Sequence, residues 1–169
     1  MDGDGVTEEE QDLWSLLDSI NGWLRFADGK AATTIAISGA VASVVAADAA
    51  QSEHAALYLS LSVTSLVAAA GAIVSALIAL LPRTESEDDR RTTVFFGHIA
   101  DFESAEAYLT AARSTRDDGQ LAVEVAHQVH ENARIAARKY KWVGRGVQFV
   151  AAQLIIGVLL LAINTLEAF

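Results

Sequence analysis

Residues 146–166 of the chain read GVQFVAAQLIIGVLLLAINTL and contain no Asp, Glu, Lys, Arg or His. The hydrocarbon core of a bilayer is ~30 Å thick, and a helix needs about 20 predominantly apolar residues to cross it. This stretch has 21 residues and is the most lipophilic part of the chain. We therefore predict a membrane-spanning helix here.

Two further stretches without charged residues precede it. Residues 55–81 provide 27 residues, enough to cross with a tilt, and Pro82 directly after them is a typical helix stop. Residues 31–47 provide 17 residues rich in Ala, Thr and Ser, at the short end of what can cross. The sequence thus predicts three spans. The alternative for residues 31–47 is a buried helix of a soluble bundle.

The composition supports this interpretation and limits the chemistry of the chain. Hydrophobic residues make up 52% of its 169 residues, which is high for a soluble protein of this size. There is no cysteine, so disulfides, thiolate metal sites and a cysteine nucleophile are excluded. The formal net charge of -10 argues against a nucleic-acid partner, because such a partner requires a basic surface.

The distribution of basic residues predicts the topology. All 12 Lys and Arg residues lie before the first span or between residues 83 and 145. Basic residues resist translocation, so we predict a multi-pass inner-membrane protein with a cytosolic amino terminus, an external loop at 48–54 and an external carboxyl terminus. The predicted divisions are a cytosolic amphipathic helix at 1–29, a two-span hairpin at 30–82, a cytosolic helical module at 83–145 and a third span with its tail at 146–169.

Helical periodicity fills the cytosolic parts, so the predicted fold class is an all-α integral membrane protein. Thr7 and Glu10 have the spacing of a capping box, and an amphipathic helix follows them into the first span. A charged linker covers 83–93, and apolar residues at helical spacing predict a second helix over 95–109. Residues 115–119 predict a turn. From Gln120 a third helix is predicted to continue into the last span.

Small residues four apart suggest that the spans associate. Gly39 and Ser43 form one such pair, and Gly71 and Ser75 form another. No charge within the spans marks an ion path through a single chain, so a pore would need several chains. We predict a homo-oligomer.

One polar stripe on the amino-terminal helix consists of Asp18, Asn21, Arg25 and Asp28. Residues three and four apart share a helix face. Arg25 suits a phosphate or a carboxylate of a partner helix, because its planar guanidinium donates in pairs. The alternative is an exposed ion pair between Arg25 and Asp28, which stabilises the fold by only ~0 to 1 kcal/mol.

A second, basic stripe runs along the third cytosolic helix. It suits a small phosphorylated ligand, and the alternative is positive charge beside anionic lipids. Asn132, Lys139 and Tyr140 on adjoining faces add amide, charged and aromatic groups that suit a nucleotide. The stripe consists of His127, Glu131, Arg134, Arg138, Lys141 and Arg145.

Signatures of enzymes and metal sites are absent from the sequence. There is no nucleophile elbow, phosphate-binding glycine loop or calcium loop. His130 and Glu131 begin like a zinc-protease helix, but Arg134 occupies the second histidine position. His98 follows an apolar face, where a lone histidine is more often structural than catalytic. We predict no catalytic residue, metal ligand or cofactor, and no enzymatic activity.

The order of several short motifs resembles a known family. Nearly the whole chain is similar to the Pycsar transmembrane effectors (PycTM), although Gly29 replaces a Thr-like residue and Ala133 replaces a Ser. The similarity rests on Asn21, Arg25-Phe26-Ala27-Asp28, Lys30-Ala31, Leu81-Pro82-Arg83, Phe95-Phe96-Gly97-His98-Ile99, Gln128-Val129, Asn132, Arg134-Ile135-Ala136 and Lys139-Tyr140.

This resemblance implies a bacterial antiphage effector. A companion nucleotide cyclase would make cyclic UMP or cyclic CMP on infection, and the nucleotide would activate the effector to impair the membrane and stop the cell. The alternative is a non-gated membrane scaffold or anchor whose cytosolic helices bind a protein partner. The residues that we predict to bind the nucleotide are Arg25, His98, Asn132, Arg134, Lys139 and Tyr140.

Overall fold

The computed structural model describes residues 7–50, 56–81 and 92–167. These ranges contain helices and no strand, which confirms the all-α fold class. Pro82, most of the charged linker, part of the 48–54 loop and residues 168–169 lie outside the described residues. The helices are α1 (Glu8–Ala49), α2 (Ala56–Leu80), α3 (Phe96–Ala100), α4 (Ala105–Asp117) and α5 (Leu121–Glu167).

Helices α1, α2 and α5 are long and apolar enough to cross a membrane. Helices α1 and α5 contain the predicted spans 31–47 and 146–166, and α2 covers residues 56–80 of the predicted span 55–81. The capping box at the start of α1 is confirmed, because the Glu10 amide donates to Thr7 Oγ1 at 3.2 Å and the Thr7 amide donates to Glu10 Oε2 at 3.1 Å. The predicted continuity of the third cytosolic helix with the last span is also confirmed, since α5 has no break.

The prediction of one helix over 95–109 is wrong. The chain forms two helices there, because the hydroxyl of Ser104 accepts the Ala107 amide at 3.2 Å and starts α4 with a new N-cap. The amide of Glu106 and the Ser104 hydroxyl donate to the Glu106 carboxylate and hold its pKa below the ordinary value. The turn is shorter than predicted, since α4 continues to Asp117 and Gly119 closes the turn with φ of 67°.

The chain divides into two compact units. Among the described residues, the polar unit contains 7–24 and 92–137, and the apolar unit contains 25–50, 56–81 and 138–167. Helices α1 and α5 contribute residues to both units.

Two apolar clusters build the core of the apolar unit. Ala27, Ala31, Ala76, Ala79 and Val143 form one cluster, with Tyr140 and Trp142 packed against it. The other cluster consists of Val45, Tyr58 and Leu160. Both clusters join residues from α1, α2 and α5, so the three apolar helices pack on one another at two levels.

Two glycines make this packing close. A Cβ atom on Gly146 would lie 3.2 Å from Thr34 Cγ2, and one on Gly71 would lie 3.0 Å from the ring of Phe149. The predicted pair of small residues, Gly71 and Ser75, therefore packs against another helix of the same chain, and Ser75 is buried there. In contrast, nothing within 4 Å would meet a Cβ atom on Gly39.

A buried amide lies among these apolar helices. Gln153 is 0% exposed, and its Nε2 donates to the backbone carbonyl of Ser38 at 3.1 Å. Its Oε1 and the hydroxyl of Ser38 have no hydrogen-bond partner in the described part of the chain. A buried acceptor without a partner costs about 1–3 kcal/mol.

We predict that Gln153→Leu stabilises the protein by on the order of 1 kcal/mol. The substitution keeps the volume similar and removes the unpaired oxygen, whereas the hydrogen bond that it removes contributes about 0.6 kcal/mol in a membrane protein. The thermal unfolding midpoint in detergent should rise. Gln148→Leu is the control and should change the midpoint less, because Gln148 is exposed in the folded chain. A clear fall with Gln153→Leu would mean that the amide has a structural partner or a function.

Candidate functional site

Three amide side chains form a hydrogen-bonded chain in the polar unit. Gln128 Nε2 donates to Asn132 Oδ1 at 2.8 Å, and Asn132 Nδ2 donates to Asn21 Oδ1 at 2.8 Å. Helix α1 supplies Asn21 and helix α5 supplies the other two, which lie one turn apart on the same face. All three side chains are half-buried. We call this set the amide chain.

The amide chain retains hydrogen-bonding capacity at its ends. A primary amide carries one acceptor oxygen and two N–H donors. These two bonds leave the NH₂ donors of Asn21 and the Oε1 acceptor of Gln128 available. In Asn132, by contrast, both the Oδ1 acceptor and the Nδ2 donor are already engaged. The arrangement can bind a planar molecule that carries donors and acceptors along one edge.

His98 is held in one tautomer by Thr92. The backbone amide of Thr92 donates to His98 Nδ1 at 3.0 Å. Nδ1 is therefore the unprotonated nitrogen and Nε2 carries the proton. The imidazole also packs edge-on against Phe95, with ring centroids 5.0 Å apart. His98 thus retains one N–H donor, which has no partner in the ranges that the structure describes.

The segment that carries Thr92 is fixed to helices α4 and α5. Glu124 Oε2 accepts from both the amide and the hydroxyl of Thr93, each at 2.7 Å. The hydroxyl of Tyr108 donates to the Thr93 carbonyl at 3.3 Å. Bonds to a carboxylate are stronger than those between neutral groups, so Glu124 positions the chain just before His98.

Arg134 does not share a helix face with Asn132. The two residues are separated by about 200° around α5, given 3.6 residues per turn. Arg134 is 48% exposed and pairs with Glu131 at 3.2 Å. Its guanidinium is accessible to an anion, but a small ligand on the amide chain would lie on the other side of the helix.

Lys139 and Asp28 form an ion pair in the apolar unit. Their side chains meet at 2.5 Å, with Lys139 17% and Asp28 42% exposed. The alternative predicted for Arg25, an ion pair with Asp28, is not formed among the described residues, because Lys139 occupies that carboxylate. Arg25 is exposed, and Tyr140 packs against the apolar cluster around Ala27.

The six predicted ligand-binding residues thus fall into both units. The polar unit holds His98, Asn132 and Arg134, and the apolar unit holds Arg25, Lys139 and Tyr140. Within the described ranges no three His, Asp or Glu side chains gather as metal ligands.

Sequence reasoning missed the roles of several polar residues. Gln128 was identified only through a family motif, and Asn21 only through a family motif and the polar stripe, although both bond to Asn132. Helical spacing on α5 does place Gln128 and Asn132 together, but the contact of Asn132 with Asn21 spans 111 residues of sequence. Glu124 and Thr93 carried no sequence signal, since their bond depends on how the segment before α3 folds back.

Comparison with known proteins identifies related sequences along almost the whole chain. The family model of the Pycsar effector protein domain, PycTM, matches residues 12–165. The Pycsar effector protein PtPycTM of Propioniciclava tarda is 30% identical over 145 residues, which are 81% of this chain and 71% of that protein. No solved structure matches the chain.

Proposed function

The chain belongs to the Pycsar effector protein family of antiphage membrane effectors, and we propose that a cyclic pyrimidine nucleotide, cyclic UMP or cyclic CMP, activates it. In this proposal the nucleotide comes from a companion cyclase. The activated protein impairs the cell membrane and stops the infected cell. The effector is non-catalytic, so the nucleotide is a signal and is recovered unchanged.

The continuity of α5 is the observation that carries this proposal. The helix runs without interruption from Leu121 to Glu167 and contains two members of the amide chain as well as the most lipophilic span. A ligand that binds one arrangement of α5 more tightly than another shifts the population toward it. A change from one per cent to 99 per cent of the active state needs about 5.5 kcal/mol of differential affinity.

The amide chain supports recognition of a pyrimidine in particular. Along one edge, uracil carries an acceptor, a donor and an acceptor, and cytosine carries two acceptors and a donor. Primary amides have both donors and an acceptor, so they can complement either edge. In the proposal, the free donors of Asn21 and the free acceptor of Gln128 contact the base, and Asn132 holds both in place. The N–H of His98 is the candidate contact for the phosphate, because Arg134 lies on the other side of α5.

The basic residues support an orientation with the amino terminus in the cytosol and the carboxyl terminus outside. No Lys or Arg lies in residues 31–82 or 146–169, and the basic residues are retained on the cytosolic side. This orientation exposes the amide chain to a nucleotide made in the cytosol.

We predict that one cyclic pyrimidine nucleotide releases a trapped dye from proteoliposomes that contain this protein, and that cyclic AMP and cyclic GMP do not. Asn132→Ala should abolish release, because it breaks both bonds of the amide chain. Gln11→Ala is the matched control, since it removes an exposed amide from the same unit, and release should persist. The dye release is measured with each nucleotide added separately.

Two results would contradict this proposal. An absence of release with every nucleotide, in folded and correctly oriented protein, would favour the scaffold or anchor. Nucleotide turnover by the purified protein would instead reveal an enzyme.

A second prediction separates a ligand-binding role of Lys139 from a structural one. If Lys139 contacts the nucleotide phosphate, Asp28→Asn frees its ammonium group and tightens binding, whereas Lys139→Gln weakens binding by roughly ten-fold, as the loss of a charged hydrogen bond does. If the pair only holds α1 against α5, the two variants should change affinity in the same direction. Calorimetric titration of the detergent-solubilised variants distinguishes the two roles.

Unchanged nucleotide binding in both Arg134→Ala and Lys139→Ala would remove these residues from the predicted ligand-binding set.

We also propose that the effector acts as a homo-oligomer. Each chain offers three apolar helices, which are too few to enclose a pore. The face of α1 around Gly39 and Ser43 supports association, because Ser43 is exposed and the space beside Gly39 is open.

Gly39→Leu should therefore reduce chemical crosslinking between chains in membranes. The leucine side chain would keep the helix backbones of two chains apart. Val44→Leu is the control, because residue 44 is exposed and lies about 140° around the same helix. Equal crosslinking in both variants, or monomers in the unaltered protein under all conditions, would rule out this interface.

A further inference from the structure

Two cation–π pairs lie at one end of the apolar unit. Lys30 Nζ lies 4.5 Å from the ring centroid of Phe26 on α1, and the Arg145 guanidinium lies 4.4 Å from the ring of Trp142 on α5. These four residues are called the basic–aromatic belt. Lys30 and Arg145 are exposed, and Phe26 is 58% exposed.

The two pairs lie at the same level of the unit. Ala27 and Ala31, which flank the α1 pair in sequence, belong to the same apolar cluster as Val143, and Trp142 packs against that cluster. The uncharged stretches of α1 and α5 begin directly after Lys30 and Arg145. The belt therefore lies on α1 and α5 where their lipophilic surface starts, which is where a bilayer places its headgroups.

The charge of this region is opposite to that of the whole chain. The formal net charge is -10, yet Arg25, Arg138 and Lys141 join Lys30 and Arg145 as exposed cations of the apolar unit. None of these five pairs with a carboxylate among the described residues. Lys139 differs from them, because it forms an ion pair with Asp28. The belt thus offers accessible positive charge beside apolar and aromatic surface.

We infer that the basic–aromatic belt binds the phosphate headgroups of anionic phospholipids. The cations pair with the phosphate, and the rings of Phe26 and Trp142 lie among the upper acyl chains, as amphipathic side chains do at a membrane interface. A soluble phosphate would use only the cations. The aromatic half of the belt therefore favours a lipid. This inference requires insertion into a membrane and is independent of the nucleotide.

The test measures which lipid stays bound to the full-length protein. Protein solubilised from vesicles of phosphatidylcholine and phosphatidylglycerol is analysed by native mass spectrometry, and the unaltered chain should retain phosphatidylglycerol in excess. Lys30→Gln combined with Arg145→Gln should lower that preference, by roughly five-fold for each charge removed. Arg113→Gln combined with Arg116→Gln is the matched control, because these exposed cations lie on α4 in the polar unit.

Further variants and a competitor test whether charge, folding or a soluble phosphate accounts for the result. Lys30→Arg combined with Arg145→Lys keeps the charges and should keep the preference, and the Gln variants should keep the thermal unfolding midpoint of the unaltered chain, so that any loss of preference in them is due to charge. Added glycerol 3-phosphate, which lacks acyl chains, should not displace the lipid. Displacement by it would assign the belt to a soluble phosphate and overturn the inference. Equal retention of both lipids, or an unchanged preference in the Gln variants, would overturn it as well.

Discussion

The hydrocarbon interior of a bilayer provides no hydrogen-bond partner for a peptide group, and the apolar unit is organised around this constraint. A helix satisfies its own backbone, so the three spans are helices without interruption. Some of their hydroxyl groups follow the same rule. Thr34 and Ser62 each donate to the carbonyl four residues earlier, and both are buried. The hydroxyls of Ser38 and Ser65 depart from it, because they are buried without a partner among the described residues. Gln153 departs from it too, since its amide bonds to a neighbouring helix and its Oε1 has no such partner.

The polar unit is stabilised in a different way. Its contacts include hydrogen bonds of side chains, such as those of Thr93 with Glu124 and of Asn132 with Asn21. Leu17 and Val125 are buried in the same unit. In water a hydrogen bond between neutral groups, such as the two asparagines, contributes little net free energy, because the separated groups are also hydrated. A ligand could therefore exchange such a bond at low cost. This property fits the rearrangement on nucleotide binding that we propose, whereas the apolar unit would lose close packing if its helices separated.

The sequence predicted what depends on local patterns. Lack of charge located the spans, Thr7 and Glu10 predicted their capping box, and periodicity from Gln120 predicted the continuity of α5. It did not predict the break before α4, because the apolar spacing of 95–109 continues across Ser104 and only the cap interrupts it. Nor did it predict that Asp28 pairs with Lys139, since Arg25 is the cation that shares the helix face of Asp28 on α1. Such pairings depend on how distant segments pack together, and helical periodicity in the sequence carries no information about that packing.

The weak apolar character of α1 has a consequence for how the protein is made. Its span is the least apolar of the three, and its buried face contacts α2 and α5 through both apolar clusters and through Gln153. Helix α5 follows α1 and α2 in the chain and is made after them. The first span therefore reaches its final environment only after α5 has been made, so that chains without α5 also lack the assembled three-helix core. The core is in this way kept incomplete until α5 has been inserted.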